Sequence, residues 1–279
     1  MTTALETALR ERLHSGRRLL VPFLTAGWPD ADSFLEAARA CAAAGADLLE
    51  VGVPFSDPIA DGPTIQRTSQ EALARGETLE RTLDTLAREA PGIGLPIVLM
   101  SYANPILAFG IDRFCERAPR AGVGGLLLSD VPPEELPEIE GPLAAAGIAR
   151  ILLIAPTTPP ERVEALARRA SGFLYCVTRL GVTGAGTSFS GNLGEQLARI
   201  RAVTDVPVVA GFGIRQPADL DKLPGGLDGV VLGARLLEAV ADTGAGAGAD
   251  TGAGAGAGGT ITDRVTALLA PFRERLDLR

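Results

Sequence analysis

Short apolar runs alternate with amphipathic stretches along most of the chain. The runs fall at 19–26, 47–53, 96–102, 124–129, 150–155, 172–178, 206–211 and 227–232. Each is almost continuously apolar, as parallel strands covered on both faces should be. Between them the spacing becomes helical. Over 161–170 the apolar positions are Val163, Leu166, Ala167 and Ala170, and Phe34, Ala38, Cys41 and Ala42 repeat the pattern after the first run. Eight strand–helix repeats predict an α/β fold, a single closed (β/α)8 TIM barrel with extra terminal helices. The alternative is a doubly wound sheet, but no Gly-x-Gly-x-x-Gly follows the first strand.

The expected organisation is one TIM-barrel domain over residues 1–279, interrupted once. Ala-Asp-Thr-Gly-Ala-Gly-Ala-Gly occurs at 241–248 and again at 249–256. Alternating Gly and Ala offers little side chain to bury against the entropy of ordering, so 243–259 reads as a flexible insertion. Val265, Leu268, Leu269, Phe272 and Leu276 then recur at helical spacing and predict a closing helix on the barrel.

Composition removes several function classes. A formal charge of −8 argues against a nucleic-acid partner. No apolar run reaches the roughly 18 residues of a membrane span, and the polar leader 1–18 has no apolar signal core, so a cytoplasmic location is expected. Cys41, Cys115 and Cys176 are isolated in apolar stretches and read as reduced, buried thiols. There is one histidine, His14, in the leader, and one lysine, Lys222, in a polar stretch. A metal site, a serine–histidine pair and a Schiff-base lysine are all disfavoured. Acid–base chemistry falls to Asp, Glu, Tyr and Cys.

Glu50 lies inside the apolar run 47–53. A carboxylate there must be partnered or raised in pKa, and strand alternation allows it to face the barrel interior. Pairing to a backbone group or an arginine would make it purely structural. The following loop, 54–66, carries Pro54, Pro58 and Pro63 with Asp57 and Asp61. By composition alone each aspartate is more often a structural turn residue. Glycines cluster after the sixth run (Gly181, Gly184, Gly186), the seventh (Gly211, Gly213) and the eighth (Gly233), where a barrel commonly builds a phosphate site.

Pro-Phe-Ser-Asp-Pro-Ile-Ala-Asp-Gly-Pro-Thr-Ile-Gln at 54–66, after Glu-Val-Gly-Val, resembles the signature of the tryptophan synthase alpha subunit family. Pro22-Phe23-Leu24-Thr25-Ala26-Gly27, Tyr102-Ala103-Asn104-Pro105, Asp130-Val131-Pro132, Arg179, Gly181-Val182-Thr183-Gly184 and Gly211-Phe212-Gly213 extend the resemblance along nearly the whole chain. It implies a carbon–carbon lyase that splits indole-3-glycerol phosphate by retro-aldol cleavage to indole and glyceraldehyde 3-phosphate, in L-tryptophan biosynthesis. Glu50 would then be the acid–base group that protonates indole C3. Asp61 would accept the indole N–H and stay ionised in a wetter loop. Tyr175 would line the site and Thr183 would engage Asp61 on closure. Gly184, Gly213, Gly233 and Ala234 would cradle the phosphate. Phe23, Met100, Tyr102, Leu127, Leu153, Val177, Phe212 and Val231 would form the indole pocket.

The resemblance also implies an alpha2-beta2 heterotetramer. Indole would pass to a beta subunit carrying pyridoxal phosphate, the loop 55–63 would touch that partner, and this chain would hold no cofactor itself. Two departures stand out. Ala234 replaces the family's usual Ser, and Leu180 replaces a small hydroxyl residue. A stand-alone lyase and a catalytically dead scaffold are the competing readings.

Overall fold

In the computed structural model the eight expected runs all form strands: β1 (Leu19–Thr25), β2 (Leu49–Gly52), β3 (Ile97–Ser101), β4 (Val123–Leu128), β5 (Ala149–Ile154), β6 (Leu174–Val177), β7 (Val208–Gly211) and β8 (Gly229–Leu232). The structure describes residues 2–178, 193–211, 213–241 and 259–279. All strand pairs are parallel in chain order, and β8 closes on β1 through Leu19↔Gly229 to Pro22↔Leu232. The result is a closed eight-stranded barrel. Most strands are shorter than their apolar runs, because the flanking residues turn into connections while remaining buried.

The described helices are α1 (Ala4–His14), α2 (Ala31–Ala43), α3 (Pro63–Ala74), α4 (Leu79–Ile93), α5 (Ala103–Phe109), α6 (Ile111–Arg117), α7 (Glu140–Ala145), α8 (Pro160–Arg169), α9 (Leu193–Arg201), α10 (Ala234–Ala241) and α11 (Ile261–Asp277). Phe34, Leu166 and Phe272, read from the helical spacing, are buried. Helix α11 packs on α2 and α10, as the closing helix should. The insertion at 243–259 lies, but for Gly259, outside the described residues.

The leader is more than a polar tail. Residues 4–14 form α1, capped by the Thr3 hydroxyl accepting the Glu6 N–H at 3.2 Å. Its charged composition hides a narrow apolar stripe, Leu5 and Leu9, both buried. Leu5 plugs the N-terminal end of the barrel. A Cβ at Gly125 or Gly172 would lie 3.0 or 3.2 Å from its Cδ2, so those glycines make its seat. His14 is exposed. Cys41 and Cys176 are buried thiols as expected, whereas Cys115 is only half-buried on α6.

Register places one set of residues on the lumen side. Phe23 pairs with Glu50 and Glu50 with Val98, while Gly52 pairs with Met100 and Met100 with Leu127. Leu153 pairs with Tyr175 and Tyr175 with Val209. Large and small residues interlock across this layer. A Cβ on Gly52 would sit 2.4 Å from Phe23 Cζ, and one on Gly211 would sit 2.2 Å from Tyr175 Oη. Among the described residues no helix is long and apolar enough to cross a membrane.

Candidate active site

The C-terminal ends of the strands, where barrel enzymes carry their chemistry, bring Glu50 and Asp61 together. Glu50 is held by β2 and is 1% exposed; Asp61 follows in the β2–α3 loop and is 4% exposed. That loop is built to hold a shape. Asp61 N–H donates to Pro58 O at 3.1 Å, and Gln66 Nε2 reaches back from α3 to Asp61 O at 2.9 Å. Gly62 and Pro63 then start α3, with proline at a position whose N–H needs no partner. Asp57, by contrast, is exposed and serves the turn: its carbonyl accepts the Ile59 N–H at 2.9 Å.

Both Glu50 oxygens and Asp61 Oδ1 are buried with no hydrogen-bond partner among the described residues. Among the described residues neither an arginine nor a backbone group pairs with Glu50, which speaks against a purely structural role. An unpaired buried carboxylate costs folding free energy, and functional sites are where such a cost persists. Burial, reinforced by the Asp61 charge, pushes Glu50 up to about 8. The expected raised pKa of Glu50 is therefore present. Asp61 departs from expectation. It is not in a wet loop: burial pushes it up to about 6, opposed by the Tyr102 hydrogen bond. Tyr102 reaches over the loop, its hydroxyl 3.1 Å from Asp61 Oδ2, and Phe55 stacks on its ring at 4.9 Å between centroids. Between about pH 6 and about pH 8, Asp61 is mostly ionised while Glu50 keeps its proton.

A cavity of about 600 Å³ opens beside them, lined from the lumen by Met100, Leu127, Leu153, Tyr175 and Val177 and from the mouth by Ile59, Ala60 and Ser129. The two carboxylates are covered rather than part of its walls. Tyr175 connects the two regions: it lines the cavity, and after burial the Glu50 and Asp61 charges raise its pKa. Phe23 projects over Gly52 from β1, with its ring 3.7 Å from where a Gly233 Cβ would stand, so Phe23 bridges the floor and the β8 end. Val231 is buried on β8.

At the β7 and β8 ends, Gly213 has φ +86°, which L side chains rarely adopt. Gly233 O accepts the Leu236 N–H at 2.8 Å, which makes Gly233 the residue that opens α10, with Ala234 as its first helical residue. Free N–H groups at such a start suit an anion. Thr183, Gly184 and Phe212, with Arg179, Leu180 and Gly181, lie outside the described residues. Among the described residues no group of three His, Cys, Asp or Glu side chains is placed to hold a metal ion.

The sequence model of the tryptophan synthase alpha chain family matches residues 9–253. The chain belongs to the tryptophan synthase alpha chain family. It is 44% identical over 240 residues to the tryptophan synthase alpha chain of a Picosynechococcus species, covering 86% of this chain and 91% of that one. The Xylella fastidiosa alpha chain is 43% identical over 274 residues, covering 98% and 97%. Among solved structures, Mycobacterium tuberculosis tryptophan synthase superposes with a TM-score of 0.86 at 30% identity, covering 100% of both chains. Membership agrees with the resemblance carried by 54–66 and with the closed barrel.

Several contributions to this site were not read from the sequence. The room that Gly52 and Gly211 give to Phe23 and Tyr175 had a signal available: each is a glycine in a strand where a larger apolar residue would otherwise fit. The Phe55 stack and the Gln66 staple had none, because both depend on how the loop folds back.

Proposed function

We propose that this alpha chain cleaves indole-3-glycerol phosphate to indole and glyceraldehyde 3-phosphate, with Glu50 and Asp61 as its catalytic pair. The observation that carries the reading is the pair of buried carboxylates with three oxygens unpartnered among the described residues at the mouth of the barrel. Asp61, ionised at neutral pH, accepts the indole N–H through its free Oδ1. Protonated Glu50 gives its proton to indole C3, and the positive charge that spreads to the ring nitrogen is stabilised by Asp61. Glu50, now a carboxylate, takes the proton of the adjacent side-chain hydroxyl. The carbon–carbon bond breaks, its electrons return to the ring, and the hydroxyl carbon becomes the aldehyde. No electron leaves the substrate, and Glu50 ends protonated as it began.

Phe23, Tyr102, Tyr175 and Phe212 hold the indole, with Met100, Leu127, Leu153, Val177 and Val231 completing the wall. Gly184, Gly213, Gly233 and Ala234 hold the phosphate and Thr183 engages Asp61. These roles follow the family motif residue by residue. Ala234 supplies a backbone N–H but no hydroxyl, a loss of about 1–2 kcal/mol in phosphate binding.

The chain works without a cofactor of its own in a cytoplasmic alpha2-beta2 assembly, with pyridoxal phosphate on the beta subunit. Ile59, 82% exposed on the proline-rich loop close to Asp61, supports a partner contact there. Steady-state cleavage with and without a beta subunit tests both parts. Stimulation by the partner is expected, and its absence would favour a stand-alone lyase. Glu50→Gln is expected to lower the cleavage rate at least ~10³-fold; an unchanged rate removes the mechanism.

A further inference from the structure

Asp61 does not stand alone at the barrel mouth. Tyr102, just past the end of β3, donates its phenolic hydrogen to Asp61 Oδ2 at 3.1 Å. The same phenol oxygen accepts the Ala60 N–H at 3.0 Å. Phe55 stacks on the ring at 4.9 Å with 26° between the planes. A phenol has one hydrogen to give. With the Ala60 N–H arriving from one side, that hydrogen is committed to the carboxylate. Asp61 Oδ1 is buried and has no hydrogen-bond partner among the described residues. One oxygen is thus fixed to the barrel scaffold, and the other is left as the acceptor.

We propose that Tyr102 is a positioning residue for the cleavage: its hydroxyl locks Asp61 Oδ2 so that Oδ1 meets the substrate N–H, and it keeps the buried carboxylate ionised. This goes beyond a wall of the indole pocket, which needs the ring and not the hydroxyl. It rests on the reading of Asp61 as the group that receives the indole nitrogen. Donation to the charged form favours that form, and the Tyr102 bond acts on Asp61 in that direction, against burial. The phenol suits the task because its own pKa is raised by burial and by the Asp61 charge, so it stays a donor throughout the working range. Hydrogen bonds from the Ala60 N–H and the Ser129 side chain pull the other way without outweighing burial.

Tyr102→Phe keeps the ring and the Phe55 stack and removes the phenol hydroxyl, both the donor to Asp61 and the acceptor of the Ala60 N–H. The expected result is a kcat lowered about tenfold or more with KM changed less than about threefold. The acid limb of the pH profile moves to higher pH. In the substrate-free enzyme, a ¹³C-labelled Asp61 carboxyl followed by NMR titrates higher by the same amount. Incorporating 3-fluorotyrosine at position 102 tests the converse without removing the group. Its more acidic phenol is a stronger donor, and the Asp61 titration is expected to move to lower pH. An Asp61 titration that is unmoved in the fluorotyrosine protein overturns the proposal, whether or not Tyr102→Phe folds. Asp61→Asn separates this from the parent reading. If Asp61→Asn still cleaves, the assignment of Asp61 itself falls. If it is inactive while the Tyr102 replacements leave the Asp61 titration in place, only the positioning role falls.

Discussion

Glu50 and Asp61 differ by about two pH units although burial raises both, and the difference has a local cause. Asp61 has a donor in Tyr102, whereas Glu50 has none among the described residues but does have a negative neighbour. The proposed mechanism needs Asp61 ionised and Glu50 protonated, so kcat/KM is expected to be bell-shaped, with limbs near pH 6 and pH 8. Because the groups interact, the limbs belong to the pair, and in the substrate-free protein Asp61→Asn should lower the Glu50 titration, followed by NMR of a ¹³C-labelled carboxyl, by removing the charge that opposes Glu50 ionisation. The same burial makes Glu50 a cost to folding. Its folded pKa of about 8 exceeds the ordinary 4.5. The stability it allows is complete below pH 4.5 and is lost as pH rises towards 8. Glu50→Gln stays neutral, so thermal or urea unfolding at pH 8 should show it more stable than the parent, by on the order of 3–5 kcal/mol. Equal stabilities at pH 8 would mean that Glu50 is better solvated than its burial implies. At this scale Glu50 was legible, because a carboxylate inside an apolar run has few structural uses. Asp61 was half legible. Its position in the loop motif was plain, but its burial was not. Tyr102, just past β3, reaches it only after folding, with Phe55 stacked on that ring, and nothing in the linear order of the chain pairs those two rings.

Among elements, the strands place large and small residues so that they interdigitate inside the barrel. Phe23 on β1 occupies the space over Gly52 on β2, and Tyr175 on β6 that over Gly211 on β7. In each case the glycine is needed for its missing side chain. Gly52→Ala would bring a methyl group 2.4 Å from Phe23 Cζ. The ring must then shift, at a cost of about 1–3 kcal/mol in stability, and the indole pocket deforms with it. Phe23→Leu on its own should weaken substrate binding. The two changes together should recover part of the lost stability, because the smaller side chain vacates the contested space. A double-mutant cycle read by denaturant unfolding checks this, and strict additivity would exclude the contact as the cause. All eight strands could be read because buried parallel strands are nearly continuous apolar runs. Extra terminal helices were expected, but the place of α1 in the leader could not be read in the same way: two leucines among charged residues make a weak stripe, and the glycines that seat Leu5, Gly125 and Gly172, are far away along the chain.

Over the whole molecule, the end of the barrel opposite the active site is held by a charge cluster that joins both ends of the chain. Asp47, fully buried just before β2, receives Arg12 Nη1 at 3.0 Å from α1 and Arg17 Nε at 2.5 Å from the segment leading into β1. Arg273 Nη1 of α11 donates to its other oxygen at 2.8 Å, and the Leu20 N–H joins at 2.9 Å. Arg273 also donates to Arg18 O at 2.8 Å and pairs with Asp277 at 2.6 Å. One carboxylate thus fastens α1, β1, β2 and α11. A buried network with all its members is at best a modest gain over apolar packing, but removing its central acceptor leaves several guanidinium groups uncompensated. Asp47→Ala is expected to destabilise the protein by about 3–5 kcal/mol. Arg273→Met, which removes one donor and keeps much of the volume, should cost distinctly less. Because the cluster lies at the far end from Glu50 and Asp61, kcat at a temperature where the variant remains folded should stay within about twofold of the parent, the range expected for distant independent sites. A variant that lost kcat in proportion to stability would instead mean that the two ends of the barrel are coupled through β2, the strand that begins beside Asp47 and carries Glu50.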